Sequence, residues 1–133
     1  MLKTPTYYVF KMFSAHQDNE LLESSIDTDT IGLEEQYMVP NLTESVSKDK
    51  DGKIHITLTN LSATDSYEIE TNLTGSEIKS ATGSIVAGKT DAHNTFDDPD
   101  VVKEEVFDQF KTNGDKLSFT IPASSVMHIE VTV

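Results

Sequence analysis

Residues 54–60 read Ile-His-Ile-Thr-Leu-Thr-Asn, and this stretch indicates the type of fold. Apolar side chains at Ile54, Ile56 and Leu58 alternate with polar ones. This period-two pattern is typical of a strand that buries one face and leaves the other to solvent. The outward positions of this strand are therefore predicted to be His55, Thr57 and Thr59.

The strand is predicted to pair with the segment just before it. Residues 42–47 read as a partner strand, and residues 48–53 form the link. The link contains Asp51-Gly52, a pair that favours a tight turn because glycine tolerates positive φ. An antiparallel hairpin is therefore expected at this point.

Further alternating runs follow at short intervals, at residues 67–73, 78–86, 117–121 and 127–133. The second of them is expected to be broken or bulged near Gly83. Turn residues separate the runs, and no long helical pattern intervenes. Short strands at this spacing indicate an all-β, antiparallel β-sandwich, jelly-roll-like, preceded by one short helix.

One long interval, residues 88–111, lacks the strand pattern. Its acidic turn, Asp97-Asp98-Pro99-Asp100, is expected to be exposed. The apolar residues beyond it suit a short helical turn packed on the sandwich, formed by Val101, Val102, Val106, Phe107 and Phe110. A loop of this length usually has a packing or functional role.

The chain begins with a predicted helix that is unusually apolar. Thr4 is a suitable N-cap, and Pro5 stands at the first helical position, where its missing N–H costs nothing. Apolar residues spread around the whole helix, so it requires cover on more than one side. We expect either that it folds over one open face of the sandwich, or that its usual partner lies in a larger protein. The candidate packing and self-association surface is Tyr7, Tyr8, Phe10, Met12 and Phe13.

The 133-residue chain is strongly acidic, with 23 Asp and Glu against 10 Lys and Arg and a formal charge of −13. Such a surface repels phosphate backbones and anionic lipids, so neither nucleic acid nor membrane is expected as a partner. Two acidic clusters, at residues 18–35 and 91–105, are predicted to be solvated. The absence of cysteine excludes disulfides and thiolate chemistry. No signal peptide or membrane-spanning window is present, and the compartment stays open between the cytoplasm and periplasm of a bacterium.

No motif assigns a catalytic, cofactor-binding or metal-binding residue. The histidines lack the spacing of a metal pair, and His55 and His128 are expected to be ordinary exposed residues. The Asp51-Gly52 turn resembles a calcium loop, but Ser47 and Leu58 would then occupy the first and twelfth positions, which require carboxylates. The N-glycosylation patterns at residues 41–43, 60–62 and 72–74 are attributed to turn and strand chemistry. The sequence therefore predicts no cofactor.

Four stretches resemble, in order, the C-terminal region of the α-L-arabinofuranosidases of glycoside hydrolase family fifty-one. They are TPTYYVFKMFSAHQ (4–17), VPNLTESVSKDKDGKIHITLTNL (39–61), DAHNTFDDPDVVK (91–103) and LSFTIPASSVMHIEV (117–131). The first is similar to the segment that closes the family's catalytic barrel, and the third to its long-loop motif. The resemblance runs along essentially the whole chain.

The resemblance implies a division of the chain into three parts. Residues 1–17 would be a helix left over from the closing segment of the barrel, 18–36 an acidic connector, and 37–133 the C-terminal β-sandwich. The family's catalytic glutamates lie on barrel strands, so none of them maps onto this chain. The implied partners are the catalytic barrel and further copies of the chain in a homo-oligomer.

The function expected from the resemblance is that of a non-catalytic accessory domain. The parent enzyme would remove terminal α-L-arabinofuranosyl groups from arabinan or arabinoxylan by retaining hydrolysis. Two alternatives stay open. One is a carbohydrate-binding module for arabinose-containing polysaccharide, against which the absence of tryptophan counts. The other is a free-standing acidic enzyme with its own pair of carboxylates.

Overall fold

The computed structural model describes residues 2–27, 30–33 and 37–133. An α-helix, α1 (Pro5–Phe13), continues into a 3₁₀ helix (Ser14–His16), and strands follow. The strands are β1 (Glu20–Leu21), β2 (Thr30–Leu33), β3 (Tyr37–Pro40), β4 (Leu42–Lys48), β5 (Ile54–Asn60), β6 (Tyr67–Asn72), β7 (Ser80–Ala87), β8 (Glu104–Phe107), β9 (Lys111–Asn113), β10 (Lys116–Ile121) and β11 (Ser125–Thr132). The all-β sandwich with one short N-terminal helix is confirmed.

Two sheets enclose the core. The larger has the order β1-β4-β5-β11-β7-β8, the smaller β6-β10-β9, and β2 and β3 form a separate hairpin. Every described pairing is antiparallel. Strand β11 lies at the centre of the large sheet between β5 and β7, and Met127, Ile129 and Val131 on it are completely buried. The apolar alternation of β11 thus positions the middle of the core.

The predicted hairpin between β4 and β5 is confirmed. Gly52 has φ of 83°, the left-handed conformation that the turn requires. Asp49 stabilises the turn, because its side chain accepts hydrogen bonds from the backbone N–H groups of Asp51 and Lys53, at 2.9 and 3.0 Å. These bonds hold the Asp49 carboxylate at a fixed place on the sheet's outer face.

The outer face of β5 is not exposed, contrary to the sequence prediction. His55 retains 8% of its accessible surface and Thr57 only 1%. The cause lies elsewhere in the chain, because the 3₁₀ helix after α1 packs on this face and His16 hydrogen-bonds to Thr57. A period-two pattern shows which face of a strand is apolar, but not what covers the polar face.

Strand β7 is continuous, so the bulge expected at Gly83 is absent. Its residues pair with β11 in unbroken register from Ser80 to Ala87. A Cβ atom at Gly83 would lie 2.8 Å from the carbonyl oxygen of His128 and 3.1 Å from the Phe110 ring. Glycine stands here because backbone and ring approach closely, which is the other common reason for glycine within a strand.

The helical turn expected within residues 101–110 is also wrong. The segment contains β8, which extends the large sheet by pairing with β7, and β9 follows at Lys111–Asn113. Phe107 and Phe110 pack against the main core. The free edge of β7 provides backbone hydrogen bonds that outweigh the weak helical spacing. The acidic turn at residues 97–100 is exposed, as predicted.

The predicted 18–36 connector contains more regular structure than its polar composition indicated. Strand β1 pairs with β4 at the edge of the large sheet, and β2 forms a hairpin with β3. Backbone pairing at a sheet edge needs no apolar pattern, so sequence periodicity did not reveal it. The acidic residues described here, Asp18, Glu20, Glu23 and Asp27, are exposed, as predicted. The other acidic residues of the cluster, Asp29, Glu34 and Glu35, lie outside the described residues.

Candidate functional site

Helix α1 lies on the outer face of the large sheet with one side turned inward. Thr4 caps it, accepting a hydrogen bond from the N–H of Tyr7 at 3.3 Å. Tyr8 and Met12 are one turn apart on the inward side and are buried, with 9% and 2% of their surface exposed. They form a small second core with Val86 and Val102. The helix is therefore a packed part of this domain.

The opposite side of α1 is apolar and exposed. Tyr7, Phe10 and Phe13 recur every three residues and are 40%, 74% and 39% exposed. We call these three residues the helix outer face. Of the five residues predicted as a packing surface, Tyr8 and Met12 are thus occupied by the sandwich itself, and the other three remain available.

Polar contacts fix the helix on the sheet. Lys11 forms a 2.9 Å ion pair with Glu104 on β8. Burial acts to raise the pKa of Glu104, but hydrogen bonds from Lys11 and Ser84 outweigh it and hold that pKa below its usual value. The same hydrogen bond raises the pKa of Lys11. This ion pair joins the last turn of the helix to the edge strand β8.

The long loop is clasped to the residues before the helix by Asn94. Its side-chain amide donates to the carbonyl oxygens of Lys3 and Val102, at 2.8 and 2.6 Å. Its oxygen accepts from the N–H of Val102 at 2.7 Å. Because Asn94 is itself buried, these bonds satisfy groups that would otherwise be costly to bury. The loop therefore fixes the direction in which the chain enters α1.

In two of the three N-glycosylation patterns the asparagine is buried and hydrogen-bonded within the domain. Asn60 is 2% exposed, and its side chain bonds to the carbonyls of Asp65 and Pro122 and to the N–H of Ser62. Asn41 is also buried and donates to the Tyr67 hydroxyl at 2.6 Å. Asn72 is exposed at the end of β6. The bonds of Asn60 to Ser62 and Asp65 agree with its attribution to turn chemistry, whereas Asn41 bonds to a residue 26 positions away.

A chain of three polar side chains crosses the outer face of the large sheet. His55 Nε2 lies 2.8 Å from the Asp49 carboxylate, and His55 Nδ1 lies 3.0 Å from His128 Nε2. The two rings are inclined by only 11°, with centroids 5.3 Å apart. At that separation they lie end to end in nearly one plane, so the contact between them is an in-plane hydrogen bond. We call Asp49, His55 and His128 the imidazole chain.

A third histidine lies beside this chain. His16 contacts the Ser47 hydroxyl through Nδ1 at 2.6 Å and the Thr57 hydroxyl through Nε2 at 2.9 Å. Asn19 also donates to the Ser47 hydroxyl, at 3.1 Å. Since Ser47 pairs with His55 across the β4–β5 register, His16 sits next to the imidazole chain.

The electrostatics of this face favour the neutral forms of His16 and His128. Burial lowers the pKa of His128, and the neighbouring His55 lowers it further, against the opposing effect of Glu130 and Glu104. Burial and His55 likewise lower the pKa of His16. The hydrogen bond from His55 holds the pKa of Asp49 below its usual value, and Lys53 does the same for Glu130. Charge on more than one histidine is therefore unfavourable in the fold.

Stability is expected to fall on mild acidification. His16 and His128 are harder to protonate in the folded chain, so below about pH 6.5 the unfolded chain binds more protons and folding weakens as pH falls. Asp49, Glu104 and Glu130, whose pKa values are lowered, add a second loss below about pH 4.5. Urea unfolding followed by circular dichroism across this range measures both.

The matched control for this prediction is His93→Gln, because His93 is exposed and lies on the distant loop. This variant should retain the same pH dependence as the unchanged chain. A free energy of unfolding that stays constant between about pH 7.5 and pH 5 would contradict the prediction.

The described residues provide no assembled centre for a metal. Among residues 2–27, 30–33 and 37–133, no group of three or more His, Cys, Asp or Glu side chains could hold a metal ion. The two facing nitrogens of His55 and His128 are already directed at each other. The same described segments include no helix long and apolar enough to cross a membrane.

A cleft with a volume of about 830 Å³ lies between the two sheets. Its floor is made of core residues such as Ile56 and Ile69, and carboxylates such as Glu44 and Glu68 stand at its rim. The aromatic residue among its lining residues, Phe119, is 5% exposed and belongs to the core. In the described part of the chain, this cleft therefore offers no exposed ring on which a sugar could stack.

The imidazole chain was missed by the sequence prediction, which treated His55 and His128 as ordinary exposed residues. Period two correctly placed both on outward positions of their strands. The missing information was that β5 and β11 are neighbours, with His128 opposite Thr57 and His55 opposite Glu130. An Asp three residues before a turn glycine was the available signal for the third member.

The fold and its polar clusters define the chain as an antiparallel β-sandwich domain with one short helix packed on its large sheet. The family follows from comparison with known proteins. The model of the α-L-arabinofuranosidase C-terminal domain matches residues 1–125. The chain belongs to that family.

Relatives agree over nearly the whole chain. An intracellular exo-α-L-arabinofuranosidase from Bacteroides ovatus is 37% identical over 132 residues, which cover 98% of this chain and 26% of that protein. The family fifty-one arabinofuranosidase of Xanthomonas axonopodis pv. citri has a TM-score of 0.90 and 28% identity, over 99% of this chain and 27% of its own.

A more distant structure shares the fold. The thermostable family fifty-one α-L-arabinofuranosidase of Thermotoga petrophila RKU-1 has a TM-score of 0.81 and 24% identity, over 98% of this chain and 29% of its own. The chain thus spans about a quarter of the length of the relatives it matches.

Proposed function

We propose that this chain is the non-catalytic accessory domain of an α-L-arabinofuranosidase and that it packs against the enzyme's catalytic barrel through helix α1. The parent would remove terminal α-L-arabinofuranosyl groups from arabinan or arabinoxylan with retention of configuration. Its acid/base and nucleophile would belong to the barrel. In this proposal residues 1–17 close the barrel, 18–36 connect, and 37–133 form the accessory sandwich.

The observation that carries the proposal is that α1 has apolar residues on two opposite sides, and both sides would gain stability from burial. Its inner side, with Tyr8 and Met12, is covered by the sandwich, whereas Tyr7, Phe10 and Phe13 project outward. Rigid aromatic side chains in a row are typical of the centre of an interface. A barrel on the outer side would bury the helix between two layers.

The contacts around the helix support this arrangement. The Lys11–Glu104 ion pair and the bond from His16 to Thr57 attach the last turn of the helix and the 3₁₀ helix after it to the sheet. Asn94 fixes the backbone at Lys3, just ahead of the helix. An outer face that is held rigid loses little conformational entropy on docking, which favours binding.

Phe10→Asp should abolish association with the barrel. A carboxylate at the most exposed position of the helix outer face would have to be desolvated without a partner, which costs several kcal/mol and reduces affinity by about a hundredfold or more. The catalytic portion of the parent is mixed with the purified chain, and complex formation is followed by sedimentation velocity. The unchanged chain should form a one-to-one complex.

Val106→Asp is the matched control, because Val106 is 85% exposed on the edge strand β8 and lies outside the helix outer face. It should bind the catalytic portion as the unchanged chain does. Equal binding by Phe10→Asp and the unchanged chain would remove the helix outer face from the proposal.

The same surface leads us to propose that the isolated chain self-associates. Without a barrel, the three aromatic residues of the helix outer face are open to water, and exposed apolar patches drive association. Phe10→Asp should therefore also shift the chain towards monomer in the same sedimentation experiment. A monomer at high protein concentration for the unchanged chain would contradict self-association without affecting the barrel contact.

A further inference from the structure

We propose that Asp49, His55 and His128 form a proton-operated clasp, which stays closed while at least one of the two imidazoles is neutral and opens when both are charged. This inference concerns the large sheet's outer face and does not depend on the docking of a barrel. The clasp connects the β4–β5 turn with the central strand β11.

The closed state follows from hydrogen-bond geometry. A 3.0 Å contact between two ring nitrogens requires one donor and one acceptor. Asp49 is a carboxylate acceptor 2.8 Å from His55 Nε2, so that nitrogen carries the hydrogen. His55 Nδ1 is then the acceptor, and His128 Nε2 donates to it. All donors in the chain therefore point towards the Asp49 carboxylate.

The first extra proton leaves the clasp intact. It enters from solvent at His128 Nδ1, the nitrogen that takes no part in the chain, and the ring contact keeps one donor and one acceptor whichever ring then carries the charge. The second proton would have to enter at the one nitrogen of the contact that still accepts. Two N–H groups would then face each other at 3.0 Å between two positive rings, so the contact must break.

The surrounding charges strengthen the difference between the two steps. His55 faces Asp49 from the turn, His128 from β11 and His16 from the 3₁₀ helix. His128 faces Glu130 on its own strand and Glu104 on β8. The carboxylates are paired in turn with two lysines, Lys53 with Glu130 and Lys11 with Glu104. The nearby carboxylates can compensate one positive charge on the pair. A second positive charge would lie mainly beside other imidazoles and would be repelled by the first.

Opening would affect more than two side chains. Asp49 holds the β4–β5 turn through two backbone N–H groups, and His55 lies opposite Ser47, which binds His16. The clasp thus joins the turn to the central strand, and the segment that follows α1 lies beside it, bonded to Ser47 and Thr57. Loss of the His55–His128 contact would weaken the packing of that segment on the sheet.

The test is a pH titration of the whole chain by imidazole ¹⁵N NMR. At neutral pH both rings should be neutral with hydrogen on Nε2. The pair should then take up two protons in separate steps, at least about one pH unit apart, and the second step should coincide with faster amide exchange in residues 14–19.

Two variants sharpen the result. In His128→Gln the remaining imidazole of the pair should titrate in one step, and in Asp49→Asn the preference of His55 for hydrogen on Nε2 should disappear. Hydrogen on His55 Nδ1 in the neutral chain would overturn the proposal. So would simultaneous protonation of both rings with a single midpoint, and both observations come from the unchanged chain even if a variant fails to fold.

Discussion

Ile129→Ala should lower the free energy of unfolding by about 3–4 kcal/mol, because it removes a fully buried side chain from the centre of the core. Ile129 lies on β11, opposite Ile56 on one side and Gly83 on the other. The glycine has no side chain to move into the space, so the cavity should persist. Chemical denaturation followed by circular dichroism measures the loss.

Val106→Ala is the control for this change. It removes a smaller apolar group from a β residue that is 85% exposed, and should change the free energy of unfolding by less than about 0.5 kcal/mol. Comparable losses in the two variants would show that β11 is not the centre of the core.

Gly83→Ala should destabilise the chain by about 2–3 kcal/mol, although alanine adds only a methyl group. That methyl would lie 2.8 Å from the backbone oxygen of His128, which cannot move without disrupting the pairing of β7 with β11. Phe110, at 3.1 Å, restricts relief on the other side. The same denaturation experiment measures this loss.

Gly88→Ala is the comparison for Gly83→Ala. A Cβ at residue 88 would meet the side chains of Val102 and Ala92 at 3.3 and 3.5 Å, and side chains yield more easily than backbone. We expect a loss of less than about 1 kcal/mol. Equal effects of the two variants would contradict the close approach at Gly83.

The strands of the core were predictable because their signal is local. Ile54 to Leu58 and Met127 to Val131 each alternate over a few residues, and the alternation alone predicts which side chains enter the core. The Asp51-Gly52 turn was predictable for the same reason, since its φ of 83° depends on one residue. Thr4 and Pro5 likewise located the start of α1.

The features that sequence did not reveal depend on which strands become neighbours. The spacing of Val102, Val106 and Phe110 suits a helical turn, but the free edge of β7 recruits residues 104–107 as a strand. Gly83 suggested a bulge because the sequence does not show which groups lie next to it. The structure explains the glycine by the close approach of the Phe110 ring and the His128 carbonyl. The burial of His55 similarly requires knowledge of the 3₁₀ helix that covers it.

The function, too, was predictable only where the sequence signal is local. The apolar residues of α1 predicted that the helix needs two partners, and the structure identifies the sandwich as the partner of Tyr8 and Met12. Which side chains remain for another partner could not be known before the helix was placed. The acidic composition, in contrast, gave no residue a chemical role.

The central proposal is that this domain contributes no chemistry of its own to an arabinofuranosidase. The most direct test is to incubate the purified chain with an aryl α-L-arabinofuranoside, alongside the parent enzyme at equal concentration. The proposal predicts that the parent releases the aryl group and that the chain alone gives no release above buffer. Turnover by the chain alone at a rate comparable with the parent would contradict it.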